Sequence, residues 1–371
     1  MTSTVYWGNP NQTQIDHNET LPAKLDLIID KLNIRERVKG HLVAIKMHLG
    51  NNIGYSMIHP VFVRKLVQAV KDGGGQPFVT DLPHSVATAA TRGYTPETLG
   101  CQLYPSTGLK DDSYVAVPHE FRNMTEFRVG KPIVDATFLI DLAHVKGHPI
   151  SGFGGVLKNL ALGCMTGVTR SAMHDVVHWD PYFFKENCPN EASRVAIRES
   201  CPYGAIVDDQ EDPNGLHWHD YKCNHCMRCT NVVPGAFEPQ QGNTTAFLQV
   251  MNFATQHVLE TFEPGHTVFI NIANNQTPVC DCFGLTGMNV MRDAGIFGSD
   301  DPVAADQAVI DMTANFPIIE ENLPSMMEIV QREGHPWTWI HGPWKDPYLQ
   351  LSHAAELGLG SQEYELVDVL P

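Results

Sequence analysis

Three adjoining stretches decide the fold: HLVAIKMHLG (41–50), HPVFVRKLVQAVKDGGG (59–75) and QPFVTDLPHS (76–85). The first is a short apolar run closed by Gly50 and reads as a buried strand. The second spaces its apolar residues helically and stops at the glycines 73–75. The third reads as another strand. A strand, a helix and a strand with short joins form a βαβ unit, which implies a parallel sheet.

Outward from this unit the pattern repeats. Residues 22–34 predict an amphipathic helix, with Leu25, Ile28, Ile29 and Leu32 on one face. Residues 114–117 and 134–145 add strand-like runs, the strongest being TFLIDLAHVKGH (137–148). Later come a helix in FLQVMNFATQHVLETF (247–262), a strand in HTVFINIA (266–273) and a helix in DPVAADQAVIDMTANF (301–316). Asp301 suits the cap of that last helix and Pro302 its first turn. The expected architecture is α/β: a mostly parallel sheet flanked by helices.

Near residue 180 the composition changes. The segment from DPYFFKENCPN (180–190) to VVPGAFEPQQGN (232–243) is rich in Cys, Pro, Asn and Asp and poor in apolar runs. Such a segment builds a core only with help from a metal. The expected division is therefore an α/β body over 1–184, a small inserted ferredoxin-like α+β iron–sulfur module over 185–242, and the rest of the body with a C-terminal tail over 243–371.

Within the insert, KCNHCMRCTNVVPGAF (222–237) carries Cys223, Cys226 and Cys229 as C-x2-C-x2-C. Bacterial ferredoxin runs continue with three residues and then Cys-Pro. Val233-Pro234 stands at that place here, so the fourth ligand must come from elsewhere. SCPYGAI (200–206) supplies Cys201-Pro202. In two-cluster ferredoxins the Cys-Pro cysteine of one run ligates the cluster of the other. The three partners that would complete a run ending at Cys201 are replaced by Glu191, Arg194 and Ile197. The expectation is one [4Fe-4S] cluster held by Cys201, Cys223, Cys226 and Cys229. Zinc is the competing reading, but zinc sites usually use two separated C-x2-C pairs. Cys188-Pro189 is the rival fourth ligand and lacks the GAI continuation.

Four thiolates saturate a cluster, so any substrate needs another place. HVKGHPISGFGGVLKNLALGC (144–164) closes a strand and opens a helix through a glycine-rich turn. Lys146, His148 and Lys158 offer cations or potential cations. Gly152, Gly154 and Gly155 would let backbone N–H groups approach an anion. Lys46 and His48, and Asp81 and His84, end predicted parallel strands, where ligands of open α/β sheets bind. They are expected to meet His144, Lys146 and His148 at one rim. PVCDCFG (278–284) adds Cys280, Asp281 and Cys282; one intervening residue is too short for the usual zinc chelate pair, so the two thiols are expected to hold or approach a metal, form a redox couple or lie buried.

The formal net charge of −17 argues against binding a nucleic-acid backbone. No run of about 18 apolar residues suggests a membrane span. The N-terminus lacks a basic start followed by an apolar stretch, so the expected location is cytoplasmic.

With these motifs in hand, the sequence resembles the iron–sulfur proteins catalogued as domain of unknown function 362. The resemblance runs through VAIKMHLGN (43–51), VTDLPHS (79–85), the KGH…GFGG…KN block, the cysteine insert, CDC (280–282), DAGIFGSDDPVAADQAVIDM (293–312) and the tail HAAELGLGSQEYELV (353–367). Many relatives carry two full cysteine runs, whereas this chain has one. The resemblance implies an α/β body with a ferredoxin-like module and cluster-linked chemistry, and it strengthens the placing of Lys146, His148, Lys158 and Asn159 in a site.

The function expected from all of this is a [4Fe-4S] oxidoreductase with a small anionic substrate and an external electron donor or acceptor protein. A second cofactor or metal stays open, as does a homo-oligomer. The alternatives are an electron carrier without its own substrate and a non-redox lyase or isomerase with a structural cluster.

Overall fold

A computed structural model describes residues 2–284, 286–329 and 331–370. Its main sheet has eight strands: β1 (Ser3–Gly8), β2 (Leu42–Met47), β3 (Gln76–Asp81), β4 (Gln102–Pro105), β5 (Phe138–His144), β6 (Thr267–Ala273), β7 (Gly295–Ser299) and β8 (Tyr364–Asp368). Their order is β8-β1-β7-β6-β5-β2-β3-β4. Only β7 runs antiparallel to its neighbours β1 and β6, and the other pairs are parallel. The expected mostly parallel α/β sheet is what forms.

Helices cover both faces because β2 and β5 are buried on each side. On one face α1 (Leu21–Lys31) and α2 (Pro60–Asp72) set Leu25, Ile28, Leu66 and Val70 against Ile45, Val79 and Ile140. On the other, α3 (Val156–Gly163), α4 (Gly167–Asp175) and α5 (Gln241–Leu259) bring Val156, Leu160, Met173 and Phe247 onto Ala44, Leu139 and Phe269. Asp301 caps α6 (Pro302–Thr313) by accepting from Ala304 N at 2.9 Å, with Pro302 in the first turn as expected.

The differences from expectation are local. The helix expected over 22–34 ends at Lys31, because Asn33 turns left-handed (φ 52°) before a short helix, Ile34–Arg37. The 114–117 run leaves the main sheet and forms a hairpin, Tyr114–Phe121 with Met124–Gly130. In the 134–145 run, a short helix at Lys131–Val134 delays the strand to Phe138. Among the described residues no helix is long and apolar enough to cross a membrane.

The cysteine-rich segment has its own small cluster of Ile197, Ile206, Leu216, Trp218 and Phe237. A helix (Glu191–Glu199) packs on a short hairpin (Ile206–Asp208 with Leu216–Trp218).

Two features position a site. The chain leaves β2 towards β3 and β4 on one side, and leaves β5 towards β6 on the other. The order of strand addition therefore reverses between the parallel neighbours β2 and β5, and ligands bind beyond the carboxyl ends at such a point. The cysteine segment lies over the same place.

Candidate functional site

A cavity of about 510 Å³ opens at this switch point. Its floor comes from the strand ends: Lys46 and His48 at β2, Asp81 at β3, and Lys146 and His148 after β5. Lys158 and Asn159 enter from α3, Arg170 and His174 from α4, and His217, Trp218 and His219 from the cysteine segment.

Lys46 is fully buried. Its Nζ donates to Met47 O (2.7 Å) and Asn159 Oδ1 (2.9 Å) and sits 3.1 Å from Asp81 Oδ1. Gly163 makes room for it: a Cβ there would stand 2.2 Å from Lys46 Cε. Asp81 Oδ2 accepts from Leu49 N (2.8 Å) and meets His48 Nδ1 (3.1 Å). Burial pushes the Asp81 carboxyl up, but Lys46 and His48 outweigh it and hold it well below the usual range. Burial works against charge on His48, yet Asp81 and Cys280 win and raise it.

The residues after β5 form a tight hairpin, Lys146–His148 with Gly152–Gly154. His148 Nδ1 accepts from Ile150 N (3.3 Å) and Ser151 N (3.2 Å), which leaves its proton on Nε2, 3.8 Å from Cys282 Sγ. Burial, reinforced by Lys158, pushes His148 down to about 3. It is therefore a neutral donor at pH 7.

The CDC loop closes the far wall. Lys158 Nζ donates to Cys280 Sγ at 3.3 Å. Asp281 turns away from the cavity, accepting from His144 Nδ1 (2.8 Å) and Ser56 Oγ (3.2 Å), with Lys146 Nζ at 3.6 Å. The two thiols share their protons unequally. Burial opposes a charge on Cys280, but the Cys282 hydrogen bond and the Lys158 and Lys146 ammonium groups lower it well below the free-thiol range. Cys282 rises in response, through its bond to Cys280 and then through burial. Ligand atoms of His48, Cys280 and Cys282 lie within 4.8 Å of one another, so this trio could hold a metal ion.

A second, smaller pocket lies beside the first and is lined by Cys201, Cys223, Cys226 and Cys229. Ala205 N donates to Cys201 Sγ (3.3 Å) and His225 N to Cys223 Sγ (3.3 Å). Cys188 does not line this pocket and packs into the apolar cluster instead. Trp218, 1% exposed, lines both pockets.

The structure thus brings Lys46, His48, Asp81, Lys146, His148, Lys158, Asn159 and Gly155 to one cavity. His144 lies behind it, with both ring nitrogens facing Asp281 and Asn274 O. His84 does not line it. The glycine turn behaves differently from expectation: α3 begins after Gly155, but Val156 N and Leu157 N donate to Asp306 (2.8 and 3.1 Å). That buried carboxylate answers the first two N–H groups of the helix, so those two are not offered to a ligand. Gly152, at φ 74°, lies against Lys345, whose carbonyl oxygen would stand 2.0 Å from an added Cβ. Gly152 and Gly154 do not line the cavity. The sequence reading missed Arg170, His174, His178, His217 and His219. Their signals were the four-residue step from Arg170 to His174 on one helix face and the alternation His217-Trp218-His219.

Fold and site define an α/β protein with a cation-lined cavity at the switch point of its sheet and a four-cysteine pocket beside it. The family model described as Domain of unknown function (DUF362) matches residues 43–311, well over half of the chain, and the chain belongs to that family. A relative, Thylakoid-associated protein sll1697 of Synechocystis sp., is 28% identical over 180 residues, 47% of this chain and 54% of its own length. The chain thus spans about half the length of the curated relative it matches. The structure of the lactate racemase apoprotein from Thermoanaerobacterium thermosaccharolyticum overlaps 67% of this chain and 48% of its own. The identity there is 11% and the TM-score 0.34.

Proposed function

We propose that this chain is an oxidoreductase that holds one [4Fe-4S] cluster on Cys201, Cys223, Cys226 and Cys229 and acts on a small anionic substrate in the adjoining cavity. The observation that carries the reading is Trp218, a single buried side chain that lines both pockets.

The donor set fits such a cluster. Four cysteines line one pocket, and two of their sulfurs accept backbone N–H bonds of the kind that tune iron–sulfur centres. Burial first, then the neighbouring cysteines, push Cys229 up to about 12, and burial pushes Cys223 up to about 11. Both are therefore protonated thiols at pH 7, and binding a cluster would displace those protons. The spacing speaks against mononuclear zinc. Zn–S bonds of roughly 2.3 Å place tetrahedral sulfurs about 3.8 Å apart. Among the described residues the trio within 4.8 Å of one another is His48, Cys280 and Cys282, not a set from these four cysteines.

When bound, the cluster supplies single electrons. The chain's own residues do the rest. Lys146, Lys158 and Arg170 set positive charge around the cavity to hold an anion. Arg170 Nε is buried with no partner, and so has a bond to offer. His148 presents Nε2–H as a neutral donor rather than a base. Trp218 keeps the wall dry and short. An external electron donor or acceptor protein and a cytoplasmic setting belong to the same proposal.

Anaerobically purified protein is expected to carry about four irons and four sulfides per chain. Cys201→Ala is expected to lose them and Cys188→Ala to keep them. Iron retained in Cys201→Ala would reject the ligand set.

A further inference from the structure

The cavity holds a second set of metal-type donors that shares no cysteine with the four-cysteine pocket. The ligand atoms of His48, Cys280 and Cys282 lie within 4.8 Å of one another. A tetrahedral zinc site needs roughly 3.5 Å between nitrogen and sulfur and about 3.8 Å between the two sulfurs, given Zn–S of about 2.3 Å and Zn–N of about 2.0 Å.

Three observations point to a ligand. His48, 7% exposed, buries an Nε2 that makes no geometric hydrogen bond and has the sulfurs of Cys280 and Cys282 within 4.8 Å. Its other nitrogen, Nδ1, is held by Asp81 Oδ2 at 3.1 Å. A carboxylate behind one imidazole nitrogen, with the other nitrogen free, is the arrangement that orients a metal-binding histidine. Asp81 is itself fixed by Leu49 N and Lys46.

The sulfurs are prepared in the same way. Lys158 Nζ donates to Cys280 Sγ at 3.3 Å, and His148 Nε2 stands 3.8 Å from Cys282 Sγ. The loop between the two cysteines is anchored by Asp281, which bonds His144 and Ser56 on the side away from the donors. Both cysteines are thereby set before any metal arrives.

We propose that His48 Nε2, Cys280 Sγ and Cys282 Sγ bind one thiophilic divalent cation of the zinc class, with a fourth coordination position open to the cavity. Two sulfurs and one imidazole suit such a metal. Three protein ligands with one free position make a reactive site rather than a closed structural one. His48 and Cys282 line the cavity, so the free position faces it. An anionic oxygen of a cavity ligand would fill that position, with Lys146 and Arg170 beside it.

The test uses the full chain, reduced and anaerobic, with zinc(II) as the probe. Wild-type protein is expected to keep one zinc per chain after dialysis. Zinc-edge X-ray absorption should show two sulfur neighbours and two nitrogen or oxygen neighbours. Cys280→Ser and Cys282→Ser should lose this zinc. Asp81→Asn should weaken binding about 10- to 100-fold in a chelator competition. Cys201→Ser should leave the zinc unchanged, so the outcome is independent of whether the four-cysteine pocket carries iron. No retained zinc, a four-sulfur shell, or zinc lost with Cys201→Ser and kept with Cys282→Ser each overturns the proposal. The absorption spectrum of the wild-type protein decides the matter even where a variant fails to fold.

Discussion

Lys345 Nζ donates to the carbonyl oxygen of Cys223 at 2.8 Å, deep between the α/β body and the cysteine segment. The same ammonium donates to Asp220 O (2.8 Å) and to Pro149 O (2.5 Å), just past the KGH hairpin. One buried cation therefore ties the first cysteine of the triplet to the turn that follows His148. Burial favours a neutral Asp220, but Lys345 and then His225 outweigh it and lower its pKa. Lys345→Met is expected to strand this carboxylate and three carbonyls, at a cost of about 3 kcal/mol. Denaturant unfolding should report the loss, and iron should leave the variant sooner than the wild type. Unchanged stability and iron retention would show that Lys345 is not a tie.

Gly163 is expected to resist even a methyl group. The Cβ of Gly163→Ala would meet Lys46 Cε and Nζ, and Lys46 is held in place by Met47 O, Asn159 and Asp81. Overpacking of this kind costs about 1–3 kcal/mol. A thermal melt should fall accordingly, and a melt equal to the wild type would mean that Lys46 moves freely.

Trp218 makes a prediction about access. With Trp218→Ala the two pockets merge, and loss of a buried indole costs about 3–5 kcal/mol. Iron content under anaerobic conditions should survive in the folded fraction, while bleaching of the visible absorbance in air speeds up several-fold. Trp218→Phe should keep the wall and bleach near the wild-type rate. Equal bleaching in all three proteins would remove Trp218 from the account.

Acid should destabilise the fold through its buried neutral histidines. His335 Nδ1 accepts from Trp337 N at 3.1 Å, which caps the helix Pro336–His341. Burial pushes His335 down to about 4 from its usual 6.5. A histidine lowered in the folded state contributes stability that is present above pH 6.5 and is lost as the pH falls towards 4. The loss reaches up to about 3 kcal/mol at roughly 1.4 kcal/mol per unit. His335→Asn keeps a capping side chain. Unfolding free energies at pH 7 and pH 4.5 should converge more in the variant than in the wild type. Identical slopes would locate the acid sensitivity elsewhere.

The sequence made the local events legible. Alternation of apolar and helical runs in 41–85 revealed the βαβ unit, and Asp301-Pro302 marked a helix start, because strands, helices and caps are decided by near neighbours. Strand-end positions then brought Lys46, His48, Asp81 and Lys146 to one rim, since residues beyond parallel strands share an edge. What escaped depends on distant partners. Asp306 reaches back 150 residues to Val156 N and takes the helix terminus that the glycine turn advertised. Strand β8 returns to pair with β1 across almost the whole chain. Arg170, His217 and His219 became cavity residues only when α4 and the cysteine segment closed over the sheet. The unoccupied nitrogen of His48 has no sequence signature, because it follows from where Asp81 and Cys280 arrive in space.

Cys201, Cys223, Cys226 and Cys229 are proposed to hold one iron–sulfur cluster a single side chain, Trp218, away from the cavity. Anomalous diffraction at the iron edge, from crystals grown anaerobically, tests it most directly. One compact iron peak is expected, enclosed by Cys201, Cys223, Cys226 and Cys229, with Trp218 between that peak and the cavity. A peak at the zinc edge alone in that pocket, or iron bound through Cys188 in place of Cys201, would contradict it.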